Sequence, residues 1–143
     1  MKWVTSRRIR VNRTATAWLI RRFIDERAEF LFVERDQLES VQKDEGAIGF
    51  DGPGATYAHR DGQGRCSFEA LAEEHRPNDG ALRTMAAIVH GADFLDELTL
   101  TPESAGLRAI SQGFTLVAAN DGETLEKAAF LYDSLYAHLQ TRG

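Results

Sequence analysis

The chain has 143 residues, 43% of them hydrophobic, which suits one sizeable core and argues against two separate domains. Eight Phe, two Trp and three Tyr in charged, glycine-punctuated segments exclude a disordered chain, and no apolar run approaches the roughly 18 residues of a membrane span. The formal charge of -5 is uneven: residues 1–27 carry eight Lys or Arg against two acids, or +6, leaving -11 for the rest, so nucleic acid is not an expected partner of this chain alone.

One cysteine excludes an internal disulfide framework and fits a reducing compartment. The start "MKWVTSRRIRV" has no apolar core after its Lys, so a soluble, uncleaved, cytoplasmic protein without a membrane partner is expected.

Trp3 to Thr5 reads as a short strand. "VNRTATAWLIRRFIDE" reads as a helix capped by Asn12 or Thr14, with Leu19, Ile20, Phe23 and Ile24 on its buried face and Trp18 on the other side between Arg21 and Arg22. "AEFLFVE" and "AIGFD" read as strands and "ATYAH" as a further short one, with turns at "KDEG" and "GPG". A helix is expected from Ser67 with Phe68, Leu71, Ala72 and His75 along one side. Pro77-Asn78-Asp79-Gly80 ends it and caps the next, whose stripe is Leu82, Met85, Ala86 and Val89 and whose stop signal is Gly91. Thr101 and Pro102 open another helix, with Leu107, Ile110, Phe114 and Val117 at helical spacing. The last helix turns Leu125, Ala128, Tyr132, Leu135 and Leu139 inward. The expected fold is a single α/β or α+β domain over residues 1–143, helix-rich, with a small sheet from the amino-terminal third.

Three groups of residues carry chemistry. "HRDGQGRCSFEAL" sets His59, Cys66 and Glu69 around a glycine loop, and "IVHGAD" places His90 and Asp93 three residues apart at a helix end. Folded together, these nitrogen, oxygen and sulfur donors would suit a divalent metal ion, although H-x6-C-x2-E is not a zinc signature. Each also has a simpler role. Glu69 and His90 fit the charges preferred at helix starts and ends, and a lone cysteine is often a small buried side chain. Beside Arg65 at a helix start, Cys66 would instead be a reactive thiol.

The second group is Arg7, Arg8, Arg10, Arg13, Arg21 and Arg22, whose guanidinium forks suit oxyanions or else form a solvated face. The third is Asp51 in "GFDGPG", at a strand end, and Asp133 in "FLYDSLYAH", which needs a partner such as an Arg if partly buried. No G-x-S-x-G, P-loop or G-x-G-x-x-G is present.

Taken in order, "RTATAWLIRRFID", "FLFVERD", "AIGFD", "HRDGQGRCSFEAL", "IVHGAD", "GLRAISQGF" and "LYDSLYA" resemble the chromate-resistance family, specifically the carboxy-terminal domain of ChrB-type proteins, from about Trp3 to Ala137. That resemblance implies a regulator or accessory of bacterial chromate efflux, and longer members carry a further amino-terminal domain. His59, Cys66, Phe68 and Glu69 fall in the family's H…C-S-F-E block and Asp93 in its G-A-D block. This chain departs from the pattern at Asn12-Arg13 and Ala15-Thr16-Ala17, where a second cysteine and a proline are lost, and at His90, where arginine is more typical.

The combined expectation is a metal-binding chromate-resistance domain, a small metal-dependent enzyme in one version. Its ligands would be His59, Glu69 and Asp93, with Cys66 as redox group or ligand. Arg13, Arg21 and Arg22 would form an anion-binding wall, and His90, Asp51 and Asp133 would support the site. The alternative is a non-catalytic oxyanion sensor or regulatory module, and a third reading is a scaffold whose polar residues are structural. Partners would be a small oxyanion or other small molecule, a second copy of the chain, or a separate regulatory protein.

Overall fold

The computed structural model describes residues 1–142. Strand β1 (Lys2–Ser6) lies between β2 (Glu29–Val33) and β3 (Ile48–Gly49), all parallel, with Trp3 opposite both Phe30 and Ile48. Its last four residues are all buried, the mark of a central strand covered on both faces. Tyr57 of "ATYAH" makes only an isolated bridge to Phe50, so that segment adds no full strand. The helices are α1 (Val11–Leu19), α2 (Leu38–Asp44), α3 (Ser67–His75), α4 (Gly80–Asp93), α5 (Ser104–Gln112), α6 (Phe114–Val117) and α7 (Asp121–Thr141). The sequence pattern missed α2 because Leu38 is its only buried residue, too little for a periodic stripe.

Helix α1 is the centre of the helical layer, touched by α3, α4, α5 and α7. Its small side chains, Thr14, Ala15, Thr16 and Ala17, are all buried and let those neighbours approach. The buried polar side chains of α1 are satisfied: Asn12 Nδ2 donates to Ser67 Oγ at 2.9 Å, Thr16 Oγ1 lies 3.0 Å from that same oxygen, and Thr14 Oγ1 is 2.5 Å from the Tyr132 hydroxyl. Neither Asn12 nor Thr14 therefore caps the helix, which starts one residue earlier. From Ile20 to Ile24 the helix widens, closing with Asp25 N–H to Ile20 O at 2.7 Å. Because α1 is enclosed on all sides, Trp18 has no solvent face to occupy. It is 4% exposed and packs against Phe23, Tyr132 and Tyr136.

Other details of the expected stripes change. His75 is exposed, and the helix expected from Thr101 starts at Ser104 and breaks at Gly113, leaving Ile110 53% and Val117 85% exposed. Gly91 does not stop α4, which continues to Asp93. It is a contact glycine: a Cβ there would lie 2.4 Å from Ser104 Oγ and 3.0 Å from the Glu97 carbonyl. The Ser104 hydroxyl cannot swing away freely, since it donates to Ile88 O at 2.9 Å. Gly91→Ala is therefore expected to cost about 1–3 kcal/mol by overpacking, measurable as a lower urea midpoint. An unchanged midpoint would refute the close approach of α4 and α5. No helix among the described residues is long and apolar enough to cross a membrane.

Strand order decides where a site can form. The chain leaves β1 for β2 on one side and then returns past β1 to place β3 on the other. In open parallel sheets the crevice at such a reversal, at the carboxyl ends of the strands, is where ligands bind. Here it lies between β1 and β3, next to the start of α1.

Candidate functional site

Phe50 extends the pairing of β3, its N–H reaching Val4 O at 3.0 Å, and Asp51 follows at the carboxyl end of the sheet. Asp51 adopts φ 52°, a left-handed conformation that non-glycine residues rarely take, which turns the chain into Gly52-Pro53-Gly54. Its carboxylate is 3% exposed as a residue and receives His59 Nδ1 on Oδ1 at 2.6 Å. Arg13, from the first turn of α1, places Nε 3.3 Å from Asp51 O and 3.5 Å from Oδ2. Asp93, the last residue of α4, enters from the opposite side with Oδ2 3.6 Å from His59 Nδ1. That oxygen is buried and has no hydrogen-bond partner among the described residues.

Charge follows from this packing. Burial alone would raise the Asp51 carboxyl, but the His59 hydrogen bond and the Arg13 charge hold it below the usual carboxylate range. His59 is raised, chiefly by its bond to Asp51. Asp93 is pushed up to about 6 by burial and by the Asp51 charge, against the pull of His59 and Arg13. Asp51, His59 and Asp93 each offer a ligand atom, all within 4.8 Å of one another.

A second cluster adjoins the first. Cys66 precedes α3, and Glu69, in the first turn, accepts the Cys66 N–H on Oε1 at 2.9 Å, closing a capping box. The same Oε1 lies 2.5 Å from His90 Nδ1, while His90 Nε2 meets Glu97 Oε2. Burial would lower His90, but its two carboxylate partners more than offset this and raise it; burial pushes the Cys66 thiol well up, and the Glu69 charge adds to it. Phe94 stands edge-on to both imidazoles, its ring centroid 5.1 Å from that of His59 and 4.6 Å from that of His90. The Arg65 guanidinium, which would favour a thiolate if it faced Cys66, pairs with Asp61 and Glu73 instead.

The residues expected from sequence thus divide. His59 and Asp93 do meet, and the third potential donor beside them is Asp51. Glu69 stands with Cys66 and His90 in the other cluster. The three arginines do not form one wall. Arg13 alone borders the site; Arg21 donates to Ala28 O at 3.2 Å over Phe30, and Arg22 pairs with Asp133 at 2.9 Å while stacking on Trp18, Phe23 and Tyr136. Asp133 also accepts Trp18 Nε1 at 2.9 Å and has no contact with either cluster.

The arginines that do converge are Arg13, Arg35 and Arg60, which with His59 and Asp51 line a recess of about 450 Å³. Arg60 reaches Glu97 at 2.8 Å and stacks on Phe94 at 4.3 Å. Arg35 makes no ion pair among the described residues, its neighbour Glu34 being taken by Arg7 at 2.8 Å. Sequence reasoning passed over Arg35, Arg60 and Glu97. The first two had a usable signal, an arginine just after a strand and one adjoining His59. Glu97 had none, since only the turn after α4 aims it back at His90. A larger recess of about 980 Å³, lined by Arg76, Asp79, Tyr136 and Arg142, holds no comparable cluster.

Comparison with known proteins bears on the chain as a whole. Residues 3–139 match the family described as ChrB, C-terminal domain. Protein ChrB of Cupriavidus metallidurans is 36% identical over 141 residues, which take in 98% of this chain and 41% of that relative, so the chain spans about two-fifths of the relative's length. No solved structure matches.

Proposed function

The chain belongs to the ChrB carboxy-terminal domain family, and from that premise we propose that this chromate-resistance domain holds a divalent cation between Asp51, His59 and Asp93, facing a small oxyanion in the recess of Arg13, Arg35 and Arg60. The observation that carries the reading is Asp93 Oδ2, a buried carboxylate oxygen without a hydrogen-bond partner among the described residues, beside a second, ionised carboxylate. Such an oxygen is costly to keep unpaired, and a cation would relieve both the missing contact and the repulsion. Its position at the strand-order reversal is where this class of sheet binds ligands.

The donor set fits the cation. One imidazole and two carboxylates suit borderline to hard first-row divalent ions. Bound there, such an ion would polarise an oxygen of the ligand or lower the pKa of a water. The chain's own contribution is to bind and orient: the guanidiniums of Arg13, Arg35 and Arg60 can grip a tetrahedral oxyanion through paired hydrogen bonds.

Titration of chelator-treated protein with Mn2+ tests the centre. About one equivalent is expected, with affinity reduced at least roughly 10- to 100-fold in His59→Ala, since loss of a mere supporting contact at a metal site already costs that much. Equal binding by the variant, or none by the wild type, would overturn the reading.

The unpaired Arg35 favours a second reading, in which the domain is a non-catalytic oxyanion sensor that signals to a separate regulatory protein. Chromate and sulfate titrations separate the two: a sensor binds the oxyanion and releases it unchanged. Arg35→Ala is expected to weaken sulfate binding while leaving Mn2+ binding within about twofold, because removing one exposed guanidinium at the rim leaves all three cation ligands in place. Unaltered sulfate affinity would remove Arg35 from the site.

A further inference from the structure

We propose that Cys66, Glu69 and His90 form a second cation site, distinct from the Asp51 centre and selective for a thiophilic divalent ion such as Zn2+ or Co2+. One sulfur, one carboxylate oxygen and one imidazole nitrogen from these residues lie within 4.8 Å of one another. Ligand atoms held around one such ion at about 2.0–2.3 Å sit about 3.3–3.8 Å apart, so the cluster needs only a small rearrangement, chiefly an opening of the 2.5 Å contact between Glu69 Oε1 and His90 Nδ1.

The surroundings match what a metal-binding histidine requires. With Nδ1 turned to Glu69, the opposite ring nitrogen of His90 meets Glu97, and Glu97 is itself held by Arg60 at 2.8 Å. A carboxylate on the far nitrogen fixes the ring and its tautomer, the arrangement that supports histidine ligands at metal centres. Glu69 is fixed by the Cys66 N–H, and Phe94 packs against the imidazole. A thiolate distinguishes this donor set from the all nitrogen and oxygen set of the first centre, and softness governs which ion each prefers. Loading the site displaces two protons to solvent, one from the Cys66 thiol and one from His90 Nδ1, while Nε2 keeps its proton on Glu97.

The chain has a single cysteine, which makes the test sharp. Full-length wild-type protein, reduced and chelator-treated, is titrated with Co2+ under anaerobic conditions. Two equivalents are expected, one of them producing the near-ultraviolet thiolate-to-cobalt charge-transfer band, which can arise only from Cys66. In Cys66→Ser the band is expected to vanish and the stoichiometry to fall to one, while the Mn2+ equivalent at the Asp51 centre is kept. His90→Gln is expected to weaken the band-forming equivalent at least tenfold. Wild-type protein that binds Co2+ without the band overturns the second site whether or not either variant folds, and leaves the first centre standing. Absence of Mn2+ binding with the band intact has the opposite meaning.

Discussion

Asp93→Asn is expected to make the metal-free protein more stable at pH 7.5 and to abolish its response to Mn2+. The sign follows from the direction of the shift. Asp93 is raised from 3.8 to about 6 by burial and the Asp51 charge, so the folded chain holds the proton over a range where the unfolded chain has released it. Its contribution is favourable below about pH 4 and is lost as the pH rises through about 6. Above that, wild type carries an ionised, buried carboxylate whose Oδ2 has no hydrogen-bond partner among the described residues, at a cost of about 3 kcal/mol, which the neutral amide does not incur. Thermal unfolding should therefore rank Asp93→Asn above wild type at pH 7.5 without metal, and the two together near pH 4. Mn2+ at a thousand times its Kd reverses the order, since wild type gains about 4.1 kcal/mol and the variant almost nothing. The same proton makes cation affinity rise with pH through about 6. A variant less stable than wild type under both conditions would show that the Asp93 carboxylate is held by contacts other than a cation.

Trp18→Ala is expected to cost about 3–5 kcal/mol, a large share of the roughly 5–15 kcal/mol that ordinarily holds a domain folded. The indole is 4% exposed, packs against Phe23, Tyr132 and Tyr136, and donates Nε1 to Asp133. Were Trp18 on a solvated arginine face, as its helical phase suggests, the change would fall within about 0.5 kcal/mol. The Arg22 pair with Asp133 is about half exposed on both sides, so Asp133→Asn should cost no more than about 1 kcal/mol. Urea unfolding of the two variants checks both figures. Equal, small losses would refute the placement of Trp18 inside the helical layer.

Local patterns that owe nothing to distant neighbours were legible. Alternation around Phe30 and Phe32 marked β2, and the Asp79-Gly80 start marked α4, where Asp79 Oδ1 accepts Leu82 N–H at 3.0 Å. The spacing of Leu125, Ala128, Tyr132 and Leu139 marked the inner face of α7. Where a pattern failed, a tertiary contact had changed the meaning of the residue. Gly91 reads as a stop but serves α5, and the Asn12 amide and Thr14 hydroxyl, which read as caps, are spent on Ser67 and Tyr132.

The sequence by itself determined the family, the helix-rich class with its small amino-terminal sheet, and most of the side chains that gather in the two clusters, because these depend on residue identity and short-range periodicity. Tertiary structure alone decided which donors share a centre. Asp51 meets His59 only through the left-handed turn after β3, Asp93 arrives only because α4 runs past Gly91, and Glu69 is drawn to His90 by the packing of α3 on α4. Coordination depends on distances of a few ångströms between residues dozens of positions apart, and strand order and helix packing set those distances, neither of which leaves a local trace in the chain.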